Sequence, residues 1–189
     1  MAINKNKLTL ASFYVWCFLV CSFIGWVYEC IWKTILVKSF VNPGFLHGYY
    51  LPIYGFGGLL LILCLKKYMD KTPSTSFRKY VIKPIVMFLL ITVLVSALEY
   101  VVSYVMEIMF HQRWWDYKHL AYNLNGRIAL SNSLILGAMG FVFVYIVHPL
   151  MKFLCDKVSP KILNIVALLI VLMVGIDTIY TLLEMYKII

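Results

Sequence analysis

Residues Pro84–Phe110 read PIVMFLLITVLVSALEYVVSYVMEIMF, 27 residues in which Glu99 and Glu107 are the only charged side chains. As a helix rising ~1.5 Å per residue, this run outreaches the ~30 Å of hydrocarbon in a bilayer. It reads as a transmembrane helix. Similar apolar stretches run over Leu10–Trp32, Tyr49–Leu65, Ile128–Val147 and Ile162–Tyr186. The expected fold class is therefore all-α, a polytopic transmembrane helix bundle of about five spans. The second stretch is short and carries Pro52, Gly55, Gly57 and Gly58, so both a full crossing and a re-entrant segment fit it.

Composition agrees with lipid as the main solvent. Of 189 residues, 63% are hydrophobic and 13% charged, and the mean hydropathy of +0.88 exceeds what one soluble core could hide. A single transmembrane domain, residues 1–189, is expected, without linkers or low-complexity tracts. Lys5 and Lys7 ahead of the first apolar run resemble the start of a secretion signal. The run is too long for one, and Val20 before Cys21 is too large for lipoprotein cleavage, so a retained helix is expected.

The net charge of +9 would suggest nucleic acid in a soluble protein, but here the basic residues collect at span ends. Five crossings put Lys5, Lys7, Lys66, Lys67, Lys71, Arg78, Lys79, Lys83, Lys152, Lys157 and Lys161 on one side. Lys33, Lys38, Arg113, Lys118, Arg127 and Lys187 fall on the other. The positive-inside rule then gives a multi-pass cell-membrane protein with a cytoplasmic N-terminus and an extracytoplasmic C-terminus. The basic connections, Lys66–Lys83 and His148–Lys161, read as short turn-rich loops, with His148-Pro149 marking the end of the fourth helix. No P-loop motif is present, so nucleotide energy would have to come from a separate ATPase subunit.

The two outer connections are unusual. Asn42–Gly55 mixes glycine, proline and aromatic residues and is too apolar for a solvated loop, so it should lie in or dip into the interface. Phe110–Arg127 carries Arg113-Trp114-Trp115-Asp116-Tyr117 and Asn125-Gly126-Arg127, pairing interfacial aromatics with charges and amides. Five acids fall within helices: Glu29, Glu99, Glu107, Asp177 and Glu184. Glu29 precedes Lys33 by four residues, the favourable order for a helical ion pair. Glu99 and Asp177 lie deepest, where an unpaired charge costs at least about 2.5–3.5 kcal/mol, so each should face the bundle. Ser96, Glu99, Ser103 and Glu107 form one helical stripe, and Asp177, Thr181 and Glu184 another.

These stripes suggest an acidic, outward-opening pocket between the third and fifth spans, lined further by Ser131 and Asn132. The candidate substrate or proton sites are Glu99, Asp177, Glu29, Glu107, Arg113, Asp116, Asn125 and Arg127. The alternative is that the same groups only join helices by hydrogen bonds. Gly25, Gly137 and Gly140 read as close-packing points. Trp114 and Trp115 fit interfacial anchors better than stacking platforms. Cys17 and Cys21 share a helix face without a histidine, and His47, His111 and His119 match no ligand spacing, so no metal, cofactor or disulfide framework is expected. No catalytic motif stands out.

Several strings occurring in order carry a resemblance: Phe23–Glu29, Asn42–Gly48, Pro52–Gly57, Leu98-Glu99-Tyr100, Trp114–Tyr117 and Asn125–Arg127. Together, over about three quarters of the chain, they resemble the bacterial putative ABC-transporter type IV family of permease-like integral membrane proteins. The chain departs from that family's common pattern at Pro43 and at Tyr49-Tyr50. The resemblance implies a transporter permease-like subunit without an established substrate, and the acidic pocket suggests a small polar or cationic solute. A membrane-embedded enzyme acting on a lipid or lipid-linked substrate at the outer leaflet, and an accessory or regulatory membrane subunit, are the other functions these residues accommodate. The partners implied are the lipid bilayer, a separate ATPase subunit where ATP drives transport, and further copies of the chain in an oligomer, but no nucleic acid.

Overall fold

The computed structural model describes residues 7–44, 46–71, 73–111 and 113–186. Lys5, Phe45 and Lys187, which entered the charge pattern and loop motif above, lie outside them. Helix α1 spans Lys7–Val37 and α2 Pro52–Asp70. A π-helical turn, Arg78–Ile82, leads into α3, Lys83–Phe110. A small hairpin of β1, Asn123–Leu124, and β2, Ile128–Ala129, precedes α4, Leu130–Val142. A second π-turn, Phe143–Val147, joins α4 to α5, His148–Cys155, and α6 spans Pro160–Met185. Five helical runs are long and apolar enough to cross a membrane, counting Arg78–Phe110 and Leu130–Cys155 as continuous. In the most apolar window of α6 only 17% of residues are buried, and Leu168, Leu169, Leu172, Ile176 and Ile179 are exposed. Such a surface is stable only against lipid.

The second span is a continuous 19-residue helix beginning at Pro52, the position where a missing N–H costs nothing. The non-helical segment lies before it, in residues 38–44 and 46–51. Both basic connections are shorter than the sequence suggests. Lys83 caps α2, donating from Nζ to the carbonyls of Met69 at 2.8 Å and Lys71 at 2.7 Å, where a cation meets the negative end of the helix. At the other connection the helix does not stop at His148 but runs through Pro149 to Cys155. The two interior prolines share one solution: Pro84 and Pro149 each follow a π-turn by two residues. Proline removes an N–H and crowds the carbonyl four residues back, and the wider turn takes up that misfit; Lys83 N–H bonds to the Arg78 carbonyl five residues back.

The chain divides into two compact units, one of residues up to Leu59 together with those from His148, the other Leu60–Val147. In the first, α1 packs on α6 and α5 around Phe13, Cys17, Leu163, Ala167 and Met151, with Ser12 Oγ donating to Asn164 Oδ1 at 2.7 Å. Gly25 and Gly55 bring α1 and the start of α2 together: a Cβ at Gly25 would enter the Tyr54 ring, and one at Gly55 would strike Ser22 and Phe18. In the second unit α3 packs on α4 over Ser133, Gly137 and Gly140, where added Cβ atoms would strike Thr92 and Ile91. The glycines marked in the sequence are indeed contact points.

Candidate functional site

Two polar clusters stand out, one in each unit, and each joins a helix stripe to an unusual loop. In the first unit the segment of residues 38–44 and 46–51 buries Pro43, Leu46, Tyr50 and Leu51. Gly44 sits at φ +96°, a region open to glycine. The turn delivers the loop to Asp177 of α6. The Asp177 carboxylate accepts from His47 N–H at 3.2 Å, Gly48 N–H at 3.0 Å and the Tyr50 hydroxyl at 2.5 Å. The His47 ring stands 3.3 Å from Asp177 through Nδ1, 3.1 Å from Thr181 Oγ1 and, through Nε2, 3.3 Å from Glu184. The side chain of Asp177 is 13% exposed and those of His47 and Glu184 are 53% and 56% exposed, so the cluster grades from closed to open along the stripe. Burial, then the hydrogen bond to Asp177, pushes the Tyr50 phenol above its ordinary range. Nearby, Glu29 accepts from Tyr54 Oη at 2.9 Å, so its partner is a phenol and not Lys33.

In the second unit the stripe on α3 turns inward as its spacing requires: Ser96, Glu99 and Ser103 are buried and Glu107 is partly exposed. Tyr117 donates to Glu99 at 3.0 Å. Arg127 donates to Ser103 at 3.2 Å and pairs with Glu107, while Arg113 Nε donates to the other Glu107 oxygen at 3.0 Å. One carboxylate thus holds two guanidinium groups. That hydrogen bond holds the Arg113 guanidinium above its usual value. Arg127, 8% exposed at its side chain, also lies against the faces of Tyr104 and Tyr100, at 5.1 and 5.8 Å.

The hairpin explains how a loop arginine returns to the helix. Asn125 and Gly126 both have positive φ, and Arg127 N–H bonds to the Leu124 carbonyl at 3.0 Å, the turn that asparagine–glycine pairs favour. Trp115 Nε1 donates to the Arg127 carbonyl at 2.9 Å, and Arg113 Nη1 to that of Asn125 at 3.1 Å. Asn125 in turn donates to the Tyr100 hydroxyl at 3.0 Å. Asp116 accepts from the Lys118 N–H at 2.9 Å and lies 3.8 Å from its ammonium. Around this framework lies an open cavity of about 630 Å³ lined by Arg113, Lys118, Arg127, Tyr100, Tyr104 and Asn125, among others.

The family model described as Putative ABC-transporter type IV matches residues 16–182, nearly the whole chain and both clusters except Glu184. The chain belongs to that family. No curated protein and no solved structure matches it. Membership in an ABC-transporter family, together with five membrane-crossing helices, makes this a multi-pass, transport-related membrane protein.

Of the candidate residues, Glu99, Glu107, Arg113, Asp116, Asn125 and Arg127 gather in the second unit, and Asp177 and Glu29 lie in the first. Ser131 is exposed and Asn132 half-buried, and it is Ser133 that α4 turns inward. Sequence reasoning did not single out the tyrosines, Tyr50, Tyr54, Tyr100, Tyr104 and Tyr117, or Lys118. Asn125-Gly126 was noted there as part of a motif, but not as the strong hairpin marker it is. His47, considered only as a metal ligand, binds carboxylates instead. Among the described residues no His, Cys, Asp and Glu group is arranged to hold a metal ion.

Proposed function

We propose that the protein is the permease-like subunit of a transporter for a small polar or cationic solute, with Asp177 as its principal solute- or proton-binding acid. The observation carrying this reading is the clasp on Asp177. A carboxylate within an apolar helix is expensive and marks a functional position. Here it is held by donors from a loop, two N–H groups and a phenol, all of which a competing cation or proton can replace without breaking the fold. Glu184 and His47 form its exposed approach. Entry of a solute cation between His47 and Glu184 would release the loop and free the Asp177 oxygens, so loop and carboxylate act as a gate. Glu99, buried on α3, serves as a second acid.

In this reading the N-terminus is cytoplasmic, the C-terminus extracytoplasmic, and the chain works as one transmembrane domain. A separate ATPase docks on the basic connections around Lys71 and Lys157. The experiment is uptake of a panel of labelled small cations and zwitterions by cells expressing wild type, Asp177→Asn or Glu99→Gln at matched membrane levels. Wild type should accumulate at least one solute that Asp177→Asn does not. Equal accumulation of every solute by wild type and Asp177→Asn rejects the gate. Crosslinking from Lys71 and Lys157 should capture a nucleotide-binding protein; its absence removes the ATPase from the proposal.

A further inference from the structure

The cavity in the second unit is the wrong chemistry for a cation. Among the described residues its lining includes three positive side chains, Arg113, Lys118 and Arg127, and no carboxylate. Glu107 stands behind the arginines, taking Nε of Arg113 and Nη2 of Arg127. It orients both forks and neutralises one of them. Arg113 uses Nε and Nη1 within the protein, which leaves most of its five donors for a ligand. Among the described residues the Lys118 ammonium pairs only with Asp116, at 3.8 Å, beyond hydrogen-bond reach, and its side chain is 68% exposed.

We propose that this cavity binds a phosphate group carried on a larger molecule. A planar, fixed guanidinium beside a mobile ammonium is the donor set that phosphate oxygens prefer. The volume, about 630 Å³, lies in the range of pockets that enclose an organic ligand of about 300–1,000 Å³ and far exceeds a lone phosphate. Tyr100 and Tyr104 also line the cavity and supply aromatic surface for the attached organic group. The site is also built in advance: the Asn125-Gly126 turn, Trp115 and the α3 stripe hold Arg127 in place without a ligand. It lies beside the end of a membrane-crossing helix, next to Trp114-Trp115, the level at which phosphodiester headgroups lie. A phospholipid headgroup and a soluble phosphate ester share the required chemistry. This inference is independent of the gate at Asp177.

The test uses the full chain, purified in neutral detergent and then in nanodiscs. In detergent, tryptophan fluorescence is titrated with glycerol 1-phosphate and, as a charge-free control, glycerol. In nanodiscs containing phosphatidylglycerol in phosphatidylcholine, the lipid retained after delipidation is measured by mass spectrometry. Each arm is run on wild type, Lys118→Gln, Lys118→Arg and Arg113→Gln. Loss of one charge-assisted contact should weaken binding about tenfold in Lys118→Gln and Arg113→Gln, with recovery in Lys118→Arg. Saturable glycerol 1-phosphate binding with that pattern assigns a soluble ester. Selective retention of phosphatidylglycerol with that pattern assigns a lipid headgroup. Binding in neither arm, or binding that Lys118→Gln leaves unchanged, overturns the proposal. Lys118 is exposed enough that its substitution should not unfold the protein, so the result stands even if Arg113→Gln fails to fold.

Discussion

Asp177 and Glu107 are both carboxylates on membrane-crossing helices, both reached by a loop from the same chain, yet they are held by different kinds of donor. Asp177 takes two backbone N–H groups, a phenol and a histidine that carries charge only when protonated. Glu107 takes two guanidinium groups that stay charged at every accessible pH. In the gate proposed above a proton or a cation opens the first arrangement, because the donors around the Asp177 carboxylate carry no fixed charge. The second resists pH and yields instead to salt or to a competing anion. Within one family member, a clasp of neutral donors in one unit thus contrasts with a permanently charged framework in the other.

The difference can be broken most severely at Arg127. Arg127→Ala leaves Glu107 with one partner, empties the space against Tyr104 and removes the hairpin's side-chain bonds to Ser103 and Glu107, and should cost about 3 kcal/mol, read as a lowered thermal midpoint in a fixed detergent. The loss should be the same at pH 6 and pH 8. Asp177→Asn is expected to cost less, about 2 kcal/mol, since the amide keeps some hydrogen bonds and loses the charge assistance. Its signature is local: hydrogen exchange should rise at residues 46–51 and stay unchanged at 123–129. Exchange rising equally in both segments would show that the clasps do not act separately.

Tyr50→Phe should cost about 1 kcal/mol near neutral pH. It should also change the alkaline limb of stability. Because the folded protein holds the Tyr50 proton more tightly than the unfolded chain does, its contribution is full below about pH 10, the ordinary phenol value, and is lost as pH rises above it. Stability of wild type should therefore fall more steeply than that of Tyr50→Phe above that pH, in matched thermal scans. The smallest change is expected from Lys118→Gln, within about 0.5 kcal/mol in stability, although it should weaken phosphate binding.

The hydrophobic runs, the acids within them and the stripes they form were legible before any coordinates. Ser96, Glu99 and Ser103 are buried on one face of α3 because a spacing of three and four residues is a property of the helix itself. Gly25, Gly137 and Gly140 likewise declared close contacts, but not that the groups met there would be Tyr54, Thr92 and Ile91. The loop partners were not legible. Glu29 looked set for Lys33 one turn away and instead meets Tyr54. His148-Pro149 looked like an end and is interior, since a π-turn absorbs the proline. A local rule could not weigh these against a tertiary alternative.

The sequence by itself determined that this chain crosses a membrane on five helices, where its acids lie along them, and which family it belongs to. Only the tertiary structure decided what holds each acid. Periodicity and hydropathy are set within a few residues, whereas Tyr50 reaches Asp177 across 127 positions, along a loop path no window of sequence contains. The same reason separates a clasp of neutral donors at Asp177 from a pair of fixed charges at Glu107.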